Sequence, residues 1–157
     1  MNIPAIVSDP EPPPGFEKLP APGVQYRMNV ATASSAPWVN ANGWRIVRGK
    51  TAGFYYDVPG AAAALAAAEA FAYGAEAAIH TDGPGARRFN EMASMLKQVT
   101  PRALPAMANI GVIDDGSNAA GEIMNLLARR NLLFKIVTSP DPKLGVNIRP
   151  DAKAAAN

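Results

Sequence analysis

Cysteine is missing from all 157 residues, and histidine occurs once, as His80. Without cysteine there is no disulfide framework, no thiolate metal site and no cysteine nucleophile. A single histidine excludes a multi-histidine metal site and catalysis by two imidazoles. No metal and no cofactor is therefore expected. Charge is sparse as well: 18% of residues are Asp, Glu, Lys or Arg, and the formal net charge is +2. Nucleic-acid binders gather Lys and Arg on one face. Here the basic residues are scattered, so no nucleic-acid partner is expected. Long apolar runs are also lacking. The most hydrophobic stretch, "GAAAALAAAEAFAYGAEAAI", is interrupted by Glu69 and Glu76 and consists mostly of alanine, a poor membrane anchor, so no transmembrane helix is read. The N-terminal "MNIPAIVSDPEPPPGF" has neither the basic nor the apolar region of a signal peptide, which leaves a cytoplasmic location as the default.

What is present is a hydrophobic fraction of 48%, enough for a packed core. Residues 1–23 hold seven prolines, Pro4, Pro10, Pro12, Pro13, Pro14, Pro20 and Pro22. Proline removes amide donors and blocks helices, so this segment is expected to be an extended arm or linker. "VQYRMNVATAS" (24–34) reads as a strand. "GWRIVRG" and "GFYYDV" read as short β-like runs that could pair as a hairpin across "GKTAG".

Beyond Pro59 the pattern becomes helical. "PGAAAALAAAEAFAYGAEA" has high helix propensity, with proline near its start and Gly74 near its end. "AEAAIHTD" reads as a buried strand ending near His80. In "GPGARRFNEMASMLKQV", Phe89, Met92, Met95, Leu96 and Val99 recur at helical spacing, and Pro101 ends the run. The continuous apolar run Ile110 to Ile113 suits a strand covered on both faces. "DDGSN" follows as a turn with Ser117 as helix N-cap, then an amphipathic helix closing near Asn131, then the strand "LLFKIVT". Strand, helix and strand with short links make a βαβ unit with parallel strands. From Pro140 the chain reads as a fraying tail.

The expected fold is therefore α/β: a short, mostly parallel sheet with flanking helices, a partial barrel-like N-terminal part and then a βαβ unit. The expected boundaries are an arm over 1–23, a barrel-like segment over 24–100, a βαβ unit over 101–140 and a flexible tail over 141–157.

Several residues could carry chemistry. "PWVNANGWRIVRG" holds the only tryptophans, Trp38 and Trp44, with Asn40 and Asn42 between them. Indoles stack on apolar sugar faces and asparagines satisfy hydroxyls, so the stretch suits a carbohydrate subsite. The same residues also suit a loop pinned by two large side chains. Glu69 either faces water from its alanine-rich helix or points into a site. Asp57, Glu69, Glu76 and Asp82 are the carboxylates from which a glycosidase pair would be drawn, though no spacing pairs them. His80 stands where α/β enzymes place functional groups, at a strand's carboxyl end; a structural histidine would occupy the same position. Asp114, Asp115 and Ser117 lie at a helix N-terminus beside a strand end. The aspartates already fill that anion-favouring niche, so the stretch reads either as a capped helix start or as part of a ligand loop.

The segments "APWVNANGWRIVRG", "AALAAAEAFAYGAEAAI" and "IGVIDDGSNAAGEIMNLLARRNLLFKIV" resemble those of uncharacterised bacterial glycoside-hydrolase-like proteins. In these a TIM barrel leads into a glutamine-amidotransferase-like domain of the β-galactosidase trimerisation kind. The first two segments look like a late strand and helix of the barrel, the third like the first βαβ of the amidotransferase-like domain. A complete barrel takes about 250 residues, so the resemblance implies a fragment or truncated relative without the complete carboxylate pair. It also implies that self-association or a partner chain covers exposed sheet edges. The functional expectation is a carbohydrate-related protein. The alternative is a non-catalytic α/β structural or protein-interaction module, and the sequence leaves open whether the chain is an enzyme.

Overall fold

The computed structural model describes residues 3–26, 37–100 and 107–150. The chain divides into two compact units. The first combines Met1–Val24 with Asn40–Arg102, the second Gln25–Val39 with Ala103–Asn157. The architecture is α/β, with mostly parallel sheets flanked by helices, and among the described residues no sheet closes into a barrel.

In the first unit the strands are β1 (Ala5–Ile6) and β2 (Phe16–Leu19) from the proline-rich segment, then β5 (Gly53–Asp57) and β6 (Ala77–His80). In the sequence, β3 (Gly23–Gln25) and β4 (Trp38–Asn40) fall at the boundaries between the two units, and they form a two-stranded pairing of their own. The main sheet has the order β1-β6-β5-β2, and its neighbours all run parallel. Helix α1 (Gly43–Arg48) precedes β5, α2 (Ala63–Ala72) joins β5 to β6, and α3 (Gly83–Leu96) follows β6.

Side-chain alternation along β5 and β6 sorts residues between two faces. Phe54, Tyr56, Ala77 and Ile79 face the core cluster, where they meet Ala63, Ala66, Ala67 and Ala70 of α2 and Phe89 and Ala93 of α3. The alanines of α2 recur at three- and four-residue spacing, so one helix stripe is made of methyl groups. Such a stripe lets the helix approach its neighbours closely, and α2 packs on both α3 and β6. Tyr55 and Ala78 point to the opposite face and are also buried. There the Tyr55 hydroxyl donates to the Asp9 carbonyl at 3.2 Å.

Three expectations need correcting here. The proline-rich segment supplies two strands rather than only an arm: Ala5 pairs with Ala78, and Phe16 with Gly53. Its prolines flank the strands, so no ladder donor is lost inside them. "GWRIVRG" is helical, not β-like, over Gly43–Arg48. Its β-branched residues yield to tertiary context, with Ile46 buried in the core and the Ile46 amide donating to the Asn42 carbonyl at 2.9 Å. No hairpin forms across "GKTAG", because β5 pairs in parallel with β2 and β6. Of the strand expected over 24–34, residues 27–34 lie outside the described residues; β3 covers Gly23–Gln25.

In the second unit β7 (Ile110–Ile113), α4 (Asn118–Arg129) and β8 (Phe134–Val137) form the βαβ unit, with β7 and β8 parallel. The Ser117 hydroxyl caps α4 by accepting from the Ala120 amide at 3.1 Å. Asn131 ends the helical run in the left-handed region, with φ of 55°. Ala120 and Met124 of α4 and Val112 of β7 are fully buried. The expected fraying after Pro140 is corrected in part by β9 (Val146–Ile148), which pairs in parallel with β7 on its free side. Asn109 anchors this return: its Oδ1 accepts from the Gly145 amide at 2.7 Å, and its carbonyl accepts from the Val146 amide at 3.1 Å. Residues 151–157 lie outside the described residues.

Candidate functional site at the carboxyl edge of the four-stranded sheet

Strand register brings three ionisable side chains to one corner. Asp57 closes β5 and His80 closes β6, and the two are register partners. Lys18 lies opposite Tyr55, two residues short of Asp57. Alternation puts Lys18, Asp57 and His80 on the same face of the sheet as Tyr55, away from the α2 core. His80 Nδ1 lies 2.9 Å from Asp57 Oδ1, and Lys18 Nζ lies 3.1 Å from Asp57 Oδ2. The Lys18 ammonium also sits 5.9 Å from the Tyr55 ring centre.

The electrostatics follow from these contacts. Hydrogen bonds from His80 and then from Lys18 hold the Asp57 carboxyl below its ordinary range. Burial, followed by the charge of Asp57, raises the Tyr55 phenol. All three side chains keep solvent access, with side-chain exposures of 56% for Lys18, 41% for Asp57 and 28% for His80. In open α/β sheets the carboxyl ends of strands are where ligands collect.

The chain beyond His80 is tightly built. The Asp82 carboxylate caps α3 by accepting from the Gly85 amide at 2.7 Å, and its second oxygen accepts from the Gly60 amide at 3.2 Å. One carboxylate thus ties the loop after β5 to the loop after β6. A Cβ on Gly85 would overlap Thr81 and come within 2.7 Å of the Gly60 Cα. Glycine is therefore required where the two loops touch. The Thr81 hydroxyl is buried without a hydrogen-bond partner among the described residues.

The residues singled out in the sequence are placed differently from one another. Asn42 is fully buried. Its amide donates to Glu69 Oε1 at 2.6 Å, and its Nδ2 donates to Glu69 Oε2 and to the Pro20 carbonyl, both at 2.9 Å. The Tyr56 hydroxyl adds a further bond to Glu69 Oε2 at 2.9 Å. Asn40 Nδ2 donates to the Ala21 carbonyl at 2.6 Å. Asn42 and Glu69 are thus brought together inside the first unit, and both asparagine amides are committed to the protein itself. Trp44 lies on α1, with the Arg45 guanidinium 4.2 Å from its ring centre and its Nε1 buried without a partner among the described residues. Trp38 opens β4, half-buried, with the Arg129 guanidinium 5.9 Å from its ring centre. Neither indole stands at a strand's carboxyl end.

Asp114 and Asp115 shape the turn before α4. Asp114 Oδ1 accepts from the Gly116 amide at 3.0 Å and Asp115 Oδ1 from the Ser117 amide at 2.9 Å. Among the described residues no group of three His, Cys, Asp or Glu side chains could hold a metal ion. No helix of the described residues is long and apolar enough to cross a membrane.

Sequence reading found His80 but missed Lys18 and took Asp57 only as one of four unpaired carboxylates. The usable signal was that "GFYYD" and "AAIH" each end a strand on a titratable residue. Lys18 was hidden because "FEKL" sits among prolines. These features define an α/β protein with mostly parallel sheets and an ionisable cluster at a sheet's carboxyl edge. No family model, no curated protein and no solved structure matches the chain.

Proposed function

We propose that this is a carbohydrate-related α/β protein that holds its ligand at the carboxyl edge of the β1-β6-β5-β2 sheet, without the paired carboxylates of a glycoside hydrolase. The observation that carries the reading is the convergence of Lys18, Asp57 and His80 there, three solvent-accessible polar groups at the place where parallel sheets take ligands. Donors and acceptors of both kinds suit a polyhydroxylated molecule. The sugar class itself comes from the resemblance of the tryptophan and alanine-rich segments to glycoside-hydrolase-like proteins. Glu69 supports the non-hydrolytic part of the reading, because its carboxylate is engaged by Asn42 and Tyr56.

The single histidine makes the test direct. Monosaccharides and oligosaccharides are titrated into isotope-labelled protein while the His80 ring signals are followed by NMR. Saturable shifts that are lost in a Lys18→Met, Asp57→Asn double variant are expected. If no sugar moves the ring signals, the carbohydrate reading fails.

A second reading, a structural or interaction module, is favoured by the internal use of Asn40, Asn42 and Glu69, which act as a clamp holding α1 to α2 and to the chain near Pro20. On that reading the open edges of both sheets are where a second copy or a partner chain adds.

A further inference from the structure

The only histidine of the chain is oriented by a carboxylate, and that carboxylate by an ammonium. An ionised carboxylate accepts hydrogen bonds and cannot donate them. At 2.9 Å from Asp57 Oδ1 the Nδ1 atom of His80 therefore carries the hydrogen, and the neutral ring presents a lone pair at Nε2. Lys18 Nζ holds the other oxygen, Oδ2, at 3.1 Å, which fixes the direction of Oδ1. His80 Nε2 makes no hydrogen bond to a described residue, and the side chain keeps 28% exposure. It closes β6, an interior strand of a parallel sheet, at the edge where ligands collect. A base within hydrogen-bond reach of a group that orients it is the supporting half of an acid–base site.

We infer that His80 and Asp57 form a proton-transfer dyad, in which His80 Nε2 takes the proton of the anomeric hydroxyl of a reducing sugar and Lys18 is a positioning residue. The inference rests on the carbohydrate reading above. In the step, Nε2 takes the hydroxyl proton as the C1–O5 bond breaks. The bonding pair goes to the ring oxygen, which takes a proton from water, and C1 becomes a carbonyl. The imidazolium returns its proton to the hydroxide so formed. Closure on either face of the carbonyl reverses these movements, so α and β anomers interconvert. The reaction needs one base and water, with no net change in oxidation state.

The full chain is tested on freshly dissolved α-D-glucopyranose and α-D-galactopyranose, with anomerisation followed by polarimetry. A protein-dependent acceleration is expected for at least one sugar, falling by about a hundredfold or more in His80→Gln and by less in Asp57→Asn and Lys18→Met. Nitrogen-15 NMR of the histidine ring supplies a readout independent of turnover, and in the wild type one that needs no variant to fold. The wild type is expected to show the Nδ1–H tautomer, and Lys18→Met to shift the population towards Nε2–H. A wild-type ring that is protonated on Nε2 overturns the inference, as does a rate equal to that of buffer or a rate unchanged in His80→Gln. If sugars move the His80 signals but no acceleration occurs, proton transfer fails and the binding reading stands. If no sugar moves them, both fail.

Discussion

The Tyr56 hydroxyl and the Asn42 side-chain amide both donate to the same oxygen, Glu69 Oε2, each at 2.9 Å. Tyr56 is on a strand, Asn42 caps a six-residue helix and Glu69 belongs to α2. Three elements of the first unit are thereby fixed on one carboxylate. Hydrogen bonds to a charged group contribute about 1.5 to 3 kcal/mol each, and a buried partner left unpaired costs a similar amount.

Glu69→Gln is expected to destabilise the protein by roughly 2 kcal/mol or more. A glutamine amide turns a donor towards at least one of the three donors now satisfied. Tyr56→Phe removes a single bond and is expected to cost roughly 1 to 2 kcal/mol. Urea denaturation midpoints of the two variants check the order. Equal stability of Glu69→Gln and wild type would mean that the network holds nothing in place.

Alkali is expected to weaken the same network. Burial and then the Glu69 charge push the Tyr56 phenol far above the ordinary tyrosine range. A raised folded-state pKa means that the stabilisation is fully present below the unfolded value, near pH 10, and is lost as pH rises beyond it. Tyr73 is raised in the same direction, by burial and then by Glu69. Unfolding followed between about pH 9 and 12 should show a steep loss of stability in the wild type and a shallower one in Tyr56→Phe. Parallel curves would contradict the assignment.

On the acid side Asp57 has the opposite sign. Its folded pKa lies below the unfolded value, so its contribution is present above about pH 4 and disappears as pH falls through the folded value. The group is largely exposed, so the effect is small and screened by salt. Wild type and Asp57→Asn should differ in melting temperature near pH 6 at low salt, and the difference should shrink as pH falls below about 4. A difference that does not shrink on acidification would point to a cause other than charge.

Gly83 and Gly85 make a matched pair in one helix turn. A Cβ on Gly83 meets nothing within 4 Å, whereas one on Gly85 overlaps Thr81 and approaches the Gly60 backbone. Gly83→Ala is expected to be neutral or slightly stabilising. Gly85→Ala is expected to cost about 1 to 3 kcal/mol, as overpacking does. Thermal melts of the two single variants give the comparison, and equal melts would show that the loops part without strain.

How much of this was legible depends on the range of the interactions. The βαβ unit from Ile110 to Val137 follows from local signals: an apolar run, a serine cap, a helical stripe and a left-handed asparagine. Helices α2 and α3 are equally local. Strands β1, β2 and β9 are short and become strands only because a distant partner supplies the ladder, so proline and polar content masked them. Helix α1 was misread for the same reason, since its start at Asn42 is set by Glu69. At the candidate site His80 was visible as a strand end. Its partnership with Asp57 needed the parallel register of β5 and β6, and Lys18 needed β2 to exist at all.

The pairing of Ala5 with Ala78 also bears on how the protein is born. A ribosome releases the N-terminal strand first, and its partner emerges only after the intervening residues have been made. At about 5 to 20 residues per second the delay is roughly 4 to 15 s. Through that interval β1 is an unpaired strand edge, and β2 is one until β5 has emerged, each able to find a wrong partner. The prolines around them have no amide hydrogen to offer such a partner and cannot wind into a helix. The composition that disguises these strands in the sequence thus also bars the residues around them from winding into a helix before their partners exist.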